Sequence, residues 1–196
     1  FDVNFVKNVN LTENSKMVYR FFGGIGTPFS NLNTLPFERS FFAGGSNGIR
    51  AWRARALGPG SLSEIETYGI DQVGEFQLEL NLEYRFHIIK QLEGALFTDM
   101  GNIWLLNLDP QREGAEFKFD RFYNEIALAP GAGIRLNFSF FILRLDGGLQ
   151  VKNPALPKGE RWLFQPKTLT NQLRSSANDK RQSQGLTRVA EWDAPY

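Results

Sequence analysis

The clearest pattern in the chain is a strict alternation of apolar and polar residues between positions 75 and 88. The apolar members occupy every second position: Phe76, Leu78, Leu80, Leu82, Tyr84, Phe86 and Ile88. A period of two predicts a β-strand with one apolar face and one polar face. Strands of soluble β-sandwiches usually have about five or six residues, whereas a tilted strand needs about 9–11 residues to cross a bilayer. The length of this alternation therefore favours a strand that spans a membrane.

Weaker alternation predicts further strands, separated by connections of two kinds. These strands are predicted at 1–11, 16–28, 92–105, 124–138 and 140–152, with a weak last one at 186–196. Tight turns are predicted at 12–15, at 89–91 and near Ser139, and long connections at 28–74, 106–122 and 153–185. Strict alternation of tight turns and long loops along the chain is typical of outer-membrane barrels, which have short periplasmic turns and long extracellular loops. A soluble β-sandwich, the alternative, gives no reason for every long loop to lie at one end.

The alternation also predicts which side chains face lipid and which face the barrel lumen. The outward set includes Leu78, Leu80, Leu82, Leu143 and Leu145, and the inward set includes Glu79, Glu83, Asp99 and Asp146. About six strands cannot close a membrane barrel, since the smallest have about eight. We therefore expect an open, curved sheet with edges at 1–11 and near 140–152. Because Phe1 already lies in an alternating pattern, we expect the chain to be a piece of a longer protein.

Composition excludes several classes of function. Lys and Arg total 22 and Asp and Glu total 21, so the chain lacks the excess of basic residues that is typical of nucleic-acid-binding proteins. The absence of cysteine excludes disulfides and thiolate metal sites. His87 is the single histidine, which argues against a histidine metal site and against a Ser-His pair. We therefore expect no metal, no cofactor and no catalytic residues.

A glycine-rich stretch at 41–52 interrupts the longest connection. Its glycines, Gly44, Gly45 and Gly48, disfavour both helix and strand, so an ordered loop that carries Arg50 is predicted. The apolar residues of this connection argue against disorder. The alternative is a surface loop with an incidental arginine.

Two carboxylates on neighbouring strands give this arginine a predicted role. If the turn after the first strand is centred on Gln91, Glu83 lies directly opposite Asp99 on the polar face. Directly opposed like charges destabilise a sheet, and a cation between them relieves the repulsion. Arginine suits this task because its planar fork can bind two carboxylates. Arg50 could reach them from the loop, and Arg85, Arg135 and Arg144 are alternatives from the strands.

These residues resemble the motifs of the outer-membrane protein assembly family, the BamA/TamA-like bacterial surface antigen barrels. Ile49-Arg50-Ala51-Trp52 matches the family's Arg-Gly-aromatic loop motif, with Ala51 in place of glycine. Phe97-Thr98-Asp99-Met100-Gly101 matches its Phe-x-Asp-x-Gly strand motif, and Glu83 matches its glutamate on the preceding strand. The resemblance covers roughly residues 1–165, and the sequence of residues 36–47 is most similar to the TamA-like proteins of Bacteroidota.

The resemblance implies that 1–196 is the C-terminal portion of a transmembrane antiparallel β-barrel, with 28–74 folded inward as a loop. In the family, the loop arginine pairs with the two acids, so Arg50, Glu83 and Asp99 are expected to meet, flanked by the motif residues Ile49, Trp52, Phe97 and Gly101. The polar segment 168–196 departs from the family's regular last strand.

The function that the resemblance implies is non-enzymatic. It is the insertion or export of other outer-membrane β-barrel proteins, in the outer membrane of a Gram-negative bacterium. The expected partners are the lipid bilayer, nascent barrel proteins, and a periplasmic or inner-membrane protein bound through upstream domains. The alternatives are a secretory or passive pore of the same architecture, an outer-membrane hydrolase and a soluble β binding module.

Overall fold

The computed structural model describes residues 1–28, 35–62, 72–138 and 140–164. This part of the chain forms one six-stranded sheet in which each strand pairs with its neighbours in sequence. The strands are β1 (Asp2–Thr12), β2 (Ser15–Ile25), β3 (Phe76–Ile89), β4 (Leu92–Trp104), β5 (Ala127–Phe138) and β6 (Phe141–Gly148). All pairs are antiparallel. The predicted all-β fold with long loops at alternate connections is confirmed.

The six strands predicted between residues 1 and 152 all form, and three of their ends are wrong by three or four residues. β2 ends at Ile25, three residues early, and β5 begins at Ala127 because Phe122–Asn124 forms a 3₁₀ turn. β6 ends at Gly148, after which pairing with β5 resumes as one isolated bridge between Lys152 and Leu128. The predicted turn at Ser139 and the segment 168–196, with its weak strand, lie outside the described residues. Within the described ranges, no helix is long and apolar enough to cross a membrane.

The two faces of the sheet differ in what covers them. On the face that we call the inner face, Glu79, Glu83 and Asp99 are buried beneath the loop that joins β2 to β3. On the opposite, outer face, Leu96 and Leu145 keep more than half of their surface exposed. Large exposed apolar side chains on one face are the expected result of alternation in a strand whose outer side meets lipid.

The pairing of β3 with β4 corrects one prediction. Asp99 lies opposite Asn81, and Glu83 lies opposite Phe97, so the two carboxylates are not directly opposed. The connecting turn is tighter than predicted, and an irregularity between His87 and Ile89 shifts the register again. The total displacement is two residues, and a shift of two leaves every side chain on its predicted face.

The loop between β2 and β3 folds back as a packed element. Its residues Ala43, Ile49, Trp52 and Leu57 are buried, and they form one apolar cluster with residues of β4 and β5: Ile103, Ala127 and Ala129. This cluster fixes the part of the loop that presents Arg50.

Candidate functional site

Backbone geometry at the start of the glycine-rich stretch turns the loop toward the sheet. Gly44 and Gly45 have φ values of 94° and 88°, a region that side chains other than glycine rarely adopt. At Gly48, a methyl group would press on the carbonyl of Gly44 and on the carboxylate of Glu79. The chain therefore passes close to β3 just before Arg50.

Apolar anchors on either side fix the direction of Arg50. Ile49 is fully buried and Trp52 nearly so, both in the cluster beneath the loop. Ala51, which replaces the motif glycine, lies against Gly148 of β6. Arg55 is the one non-glycine residue with positive φ in the described ranges, so alanine causes no backbone strain at position 51.

Arg50 binds Asp99 through three donors. Nε donates to Oδ2 over 2.8 Å, Nη2 donates to Oδ1 over 2.8 Å, and the Arg50 backbone N–H donates to Oδ2 over 3.0 Å. The Asp99 side chain is completely buried and that of Arg50 is 7% exposed. Two parallel bonds from a guanidinium fix its plane as well as its position.

The remaining nitrogen of Arg50 reaches two further carboxylates. Nη1 donates to Glu83 Oε2 over 2.8 Å and lies 3.3 Å from Asp146 Oδ2. Glu83 Oε1 accepts from Arg85 Nε over 2.5 Å and from Arg135 Nη1. The structure therefore brings Arg50, Glu83 and Asp99 together, and the other strand arginines add to Arg50 rather than replace it.

We call this group the Arg50 cluster: Arg50, Glu83, Arg85, Asp99, Arg135 and Asp146. It holds three arginines and three carboxylates, and a fourth arginine, Arg144, lies beside Asp146. Burial alone lowers the pKa of the Arg50 guanidinium, but the hydrogen bonds and charges of Asp99 and Glu83 outweigh it and raise that pKa. Burial of such a group depends on this compensation.

Phe97 of the strand motif supports the guanidinium from below. The Arg50 Cζ atom lies 3.3 Å from the centre of the Phe97 ring, an arrangement in which the ring face attracts the cation. The ring in turn lies over Gly131 of β5, where a methyl group would collide with it. Gly101 has a φ of 152° and approaches the Leu78 carbonyl so closely that a side chain would collide there.

Sequence reasoning missed two polar residues of the site. Asn81 donates to Asp99 Oδ1 over 2.8 Å and to the Gly48 carbonyl over 2.9 Å. Arg20 of β2 donates to Asn81 Oδ1 over 2.8 Å. Their positions on the polar side of the alternation were the available signal, but the predicted register placed Glu83 where Asn81 lies.

The arrangement fixes a loop and offers no evident reactive group. In the part of the chain that the structure describes, no set of three or more histidine and carboxylate side chains could hold a metal ion. His87 lies near the tight turns, where its Nε2 is 3.2 Å from Glu93 Oε1, and it is no member of the Arg50 cluster.

Comparison with known proteins gives one family and a related fold. The family model described as the Omp85 superfamily domain matches residues 1–166. No curated protein matches the chain. Among solved structures, the chain is similar to BamA from Haemophilus ducreyi lacking POTRA domains 1-3, with a TM-score of 0.60 and 14% identity. The match covers 78% of this chain and 31% of that one, so the chain spans about a third of that protein's length. Because the family model covers most of its residues, the chain belongs to the Omp85 superfamily.

Proposed function

We propose that the chain is the C-terminal barrel portion of a Gram-negative outer-membrane factor that inserts or exports other β-barrel proteins. Membership in the Omp85 superfamily and the likeness to a BamA fold support this proposal. The observation that carries it at the level of residues is the buried Arg50 cluster, which holds a long loop on the inner face of the sheet. The proposed role involves no bound cofactor and no covalent chemistry.

The physical basis of such a role is the unpaired edge of a sheet in lipid. A nascent strand inside a bilayer needs a partner for every backbone N–H and C=O group. A barrel that opens between two strands offers an edge to which the incoming strand can add. A loop fixed by buried ion pairs would keep the rest of the barrel in shape while one seam opens.

A passive or secretory pore of the same architecture is the second candidate. The loop occupies the inner face of the sheet, where Ile49 and Trp52 are buried with residues of β4 and β5. A loop held in that place would obstruct a passive pore, which favours the assembly role.

The partners that the assembly role requires are the bilayer and nascent barrel proteins, with a periplasmic or inner-membrane protein bound through other domains.

The test uses the full-length protein reconstituted in lipid vesicles together with an unfolded outer-membrane protein as client. We expect the wild-type protein to accelerate client folding and Arg50→Ala to abolish most of that acceleration. Arg53→Ala is the matched control, because Arg53 lies in the same loop and is exposed. Solute conductance without any acceleration of client folding would favour the pore and overturn the proposal.

A further inference from the structure

Besides the Arg50 cluster and the apolar anchors, the sheet also holds the loop through its backbone carbonyls. Five loop carbonyls, those of Phe42, Ser46, Asn47, Gly48 and Ala51, each accept a hydrogen bond from a side chain of the sheet or of the segment just after β6. The donors, in the same order, are Gln77, Arg144, Arg20, Asn81 and Gln150. Carbonyl acceptors are present whatever the side chain, so these contacts depend on the path of the loop more than on its sequence.

Two of these donors act on adjacent loop residues from distant strands. Arg20 of β2 donates to the Asn47 carbonyl over 2.9 Å. Arg144 of β6 donates to the Ser46 carbonyl over 2.6 Å and to Asn47 Oδ1 over 3.3 Å. In the sheet, β3, β4 and β5 separate β2 from β6. The tip formed by Ser46 and Asn47 therefore joins two strands that do not pair with each other.

Other polar groups orient both arginines. Arg20 Nη1 also lies 3.2 Å from Glu79 Oε2 and 2.8 Å from Asn81 Oδ1. Arg144 Nε lies 3.2 Å from Asp146 Oδ2. Each guanidinium is thus oriented by polar side chains of the strands beside it as well as by its contact with the loop tip. An anchored donor loses less conformational entropy when it binds than a free side chain does.

We propose that Arg20 and Arg144 are positioning residues that hold the Ser46–Asn47 tip as a brace between β2 and β6. The brace sets the distance between these strands across the inside of the curved sheet. The brace shares Asp146 with the Arg50 cluster, but it holds the loop tip, whereas the cluster holds Arg50 itself on Asp99 and Glu83. The proposal rests on the proposed function only for its consequence in client folding, and the geometry of the brace can be tested without a client.

The test measures the distance between β2 and β6 in the full-length protein in lipid. Spin labels are attached to cysteines at Tyr19→Cys and Leu143→Cys, both on the outer face. None of the 196 residues is a cysteine, and any cysteine elsewhere in the full-length protein is replaced by serine before labelling. We expect a narrow distance distribution that broadens and gains longer distances in the Arg20→Gln/Arg144→Gln double variant. Arg53→Gln is the control and should leave the distribution unchanged.

A second comparison tests whether the backbone is what is recognised. Ser46→Ala/Asn47→Ala removes the tip side chains but keeps both carbonyls, so we expect a distribution close to that of the wild type. If the glutamine double variant does not fold, Arg20→Lys/Arg144→Lys replaces it, since an ammonium keeps the charge and a donor nitrogen but loses the planar fork. That variant should broaden the distribution to a smaller extent.

The outcomes separate the brace from the function. An unchanged distribution in the glutamine variant overturns the brace, whatever happens to client folding. A distribution that broadens equally in the alanine tip variant overturns recognition through the backbone. A broadened glutamine distribution with intact client folding supports the brace and shows instead that assembly does not depend on it.

Discussion

At the scale of single residues, the most constrained group is the Asp99 carboxylate. It accepts three hydrogen bonds from Arg50 and one from Asn81, and no part of its side chain is exposed. A buried charge is stable only while its partners remain, because desolvation costs several kcal/mol per ion. The consequences of losing either partner can therefore be predicted.

Arg50→Ala and Asp99→Ala should each destabilise the protein by about 3–5 kcal/mol, because the first leaves the Asp99 carboxylate buried without its cation and the second leaves Arg50 Nε and Nη2 buried without their acceptor. The double variant should be little worse than either single one, since the same interaction is lost once. Arg50→Lys should restore only part of the stability, because an ammonium cannot fork between two carboxylates. Unfolding of the full-length protein in denaturant and protease cleavage within 41–60 would measure these effects. Strictly additive losses would show that the pair is not coupled.

Phe97 and Gly131 form a second dependent pair at this scale. Gly131→Ala places a methyl group against the Phe97 ring and the Gly147 carbonyl, so we expect a loss of about 1–3 kcal/mol, which is typical of overpacking. Phe97→Leu removes the ring, and the two losses should then be less than additive. Gly159→Ala is the control, because nothing lies within 4 Å of a methyl group there. Equal destabilisation by the two glycine variants would contradict this packing.

At the scale of elements, the register of β3 against β4 decides how Arg50 reaches its partners. Glu83 lies diagonal to Asp99 rather than opposite it, and Asn81 occupies the directly opposed place. One guanidinium can then bridge both carboxylates while an amide fills the gap between them. Ile88, near the turn, is the one residue of this strand that has no partner in β4, and the pairs continue on both sides of it.

Deletion of Ile88 should leave the Arg50 cluster intact. His87 already pairs with Glu93 and Ile89 with Leu92, so removing the residue between them keeps every other pair in place. Deletion of Tyr84 is the matched control, since the residues on one side of it would move to the opposite face of the sheet. We expect protease resistance of the loop to survive the first deletion and to be lost after the second. Similar cleavage of both variants would contradict the assigned register.

At the scale of the whole molecule, the outer face carries the evidence for a membrane environment. Leu145 on β6 is 56% exposed, and other apolar side chains of β5 and β6 are exposed as well. On a protein in water such a face would be a site of aggregation or binding. In a barrel wall it is the surface that meets the acyl chains.

Leu145→Arg should therefore cost about 2–4 kcal/mol if the residue lies near the bilayer midplane. Leu108→Arg is the control, because Leu108 is 72% exposed in the long connection between β4 and β5. Folding of the full-length protein into lipid vesicles, followed by denaturant titration, measures the free energy of unfolding of both variants. Equal stability of the two variants would indicate that β6 does not face lipid.

The alternation of residues determined much of this structure by itself. The period of two fixed the strands and their faces, connection lengths placed the long loops at one end, and glycines beside Arg50 marked the loop that folds inward. These features are local, because a strand's faces and a turn's backbone depend on residues close together in sequence.

Only the tertiary structure decided the register of β3 and the contacts that hold the loop tip. One unpaired residue near a turn moves every pair beyond it, and alternation alone cannot detect a shift of two residues. The contacts of Arg20 and Arg144 with the loop tip join residues 27 to 98 positions apart. Alternation places both arginines on the inner face of the sheet, but only the path of the loop decides which of its groups lie within their reach.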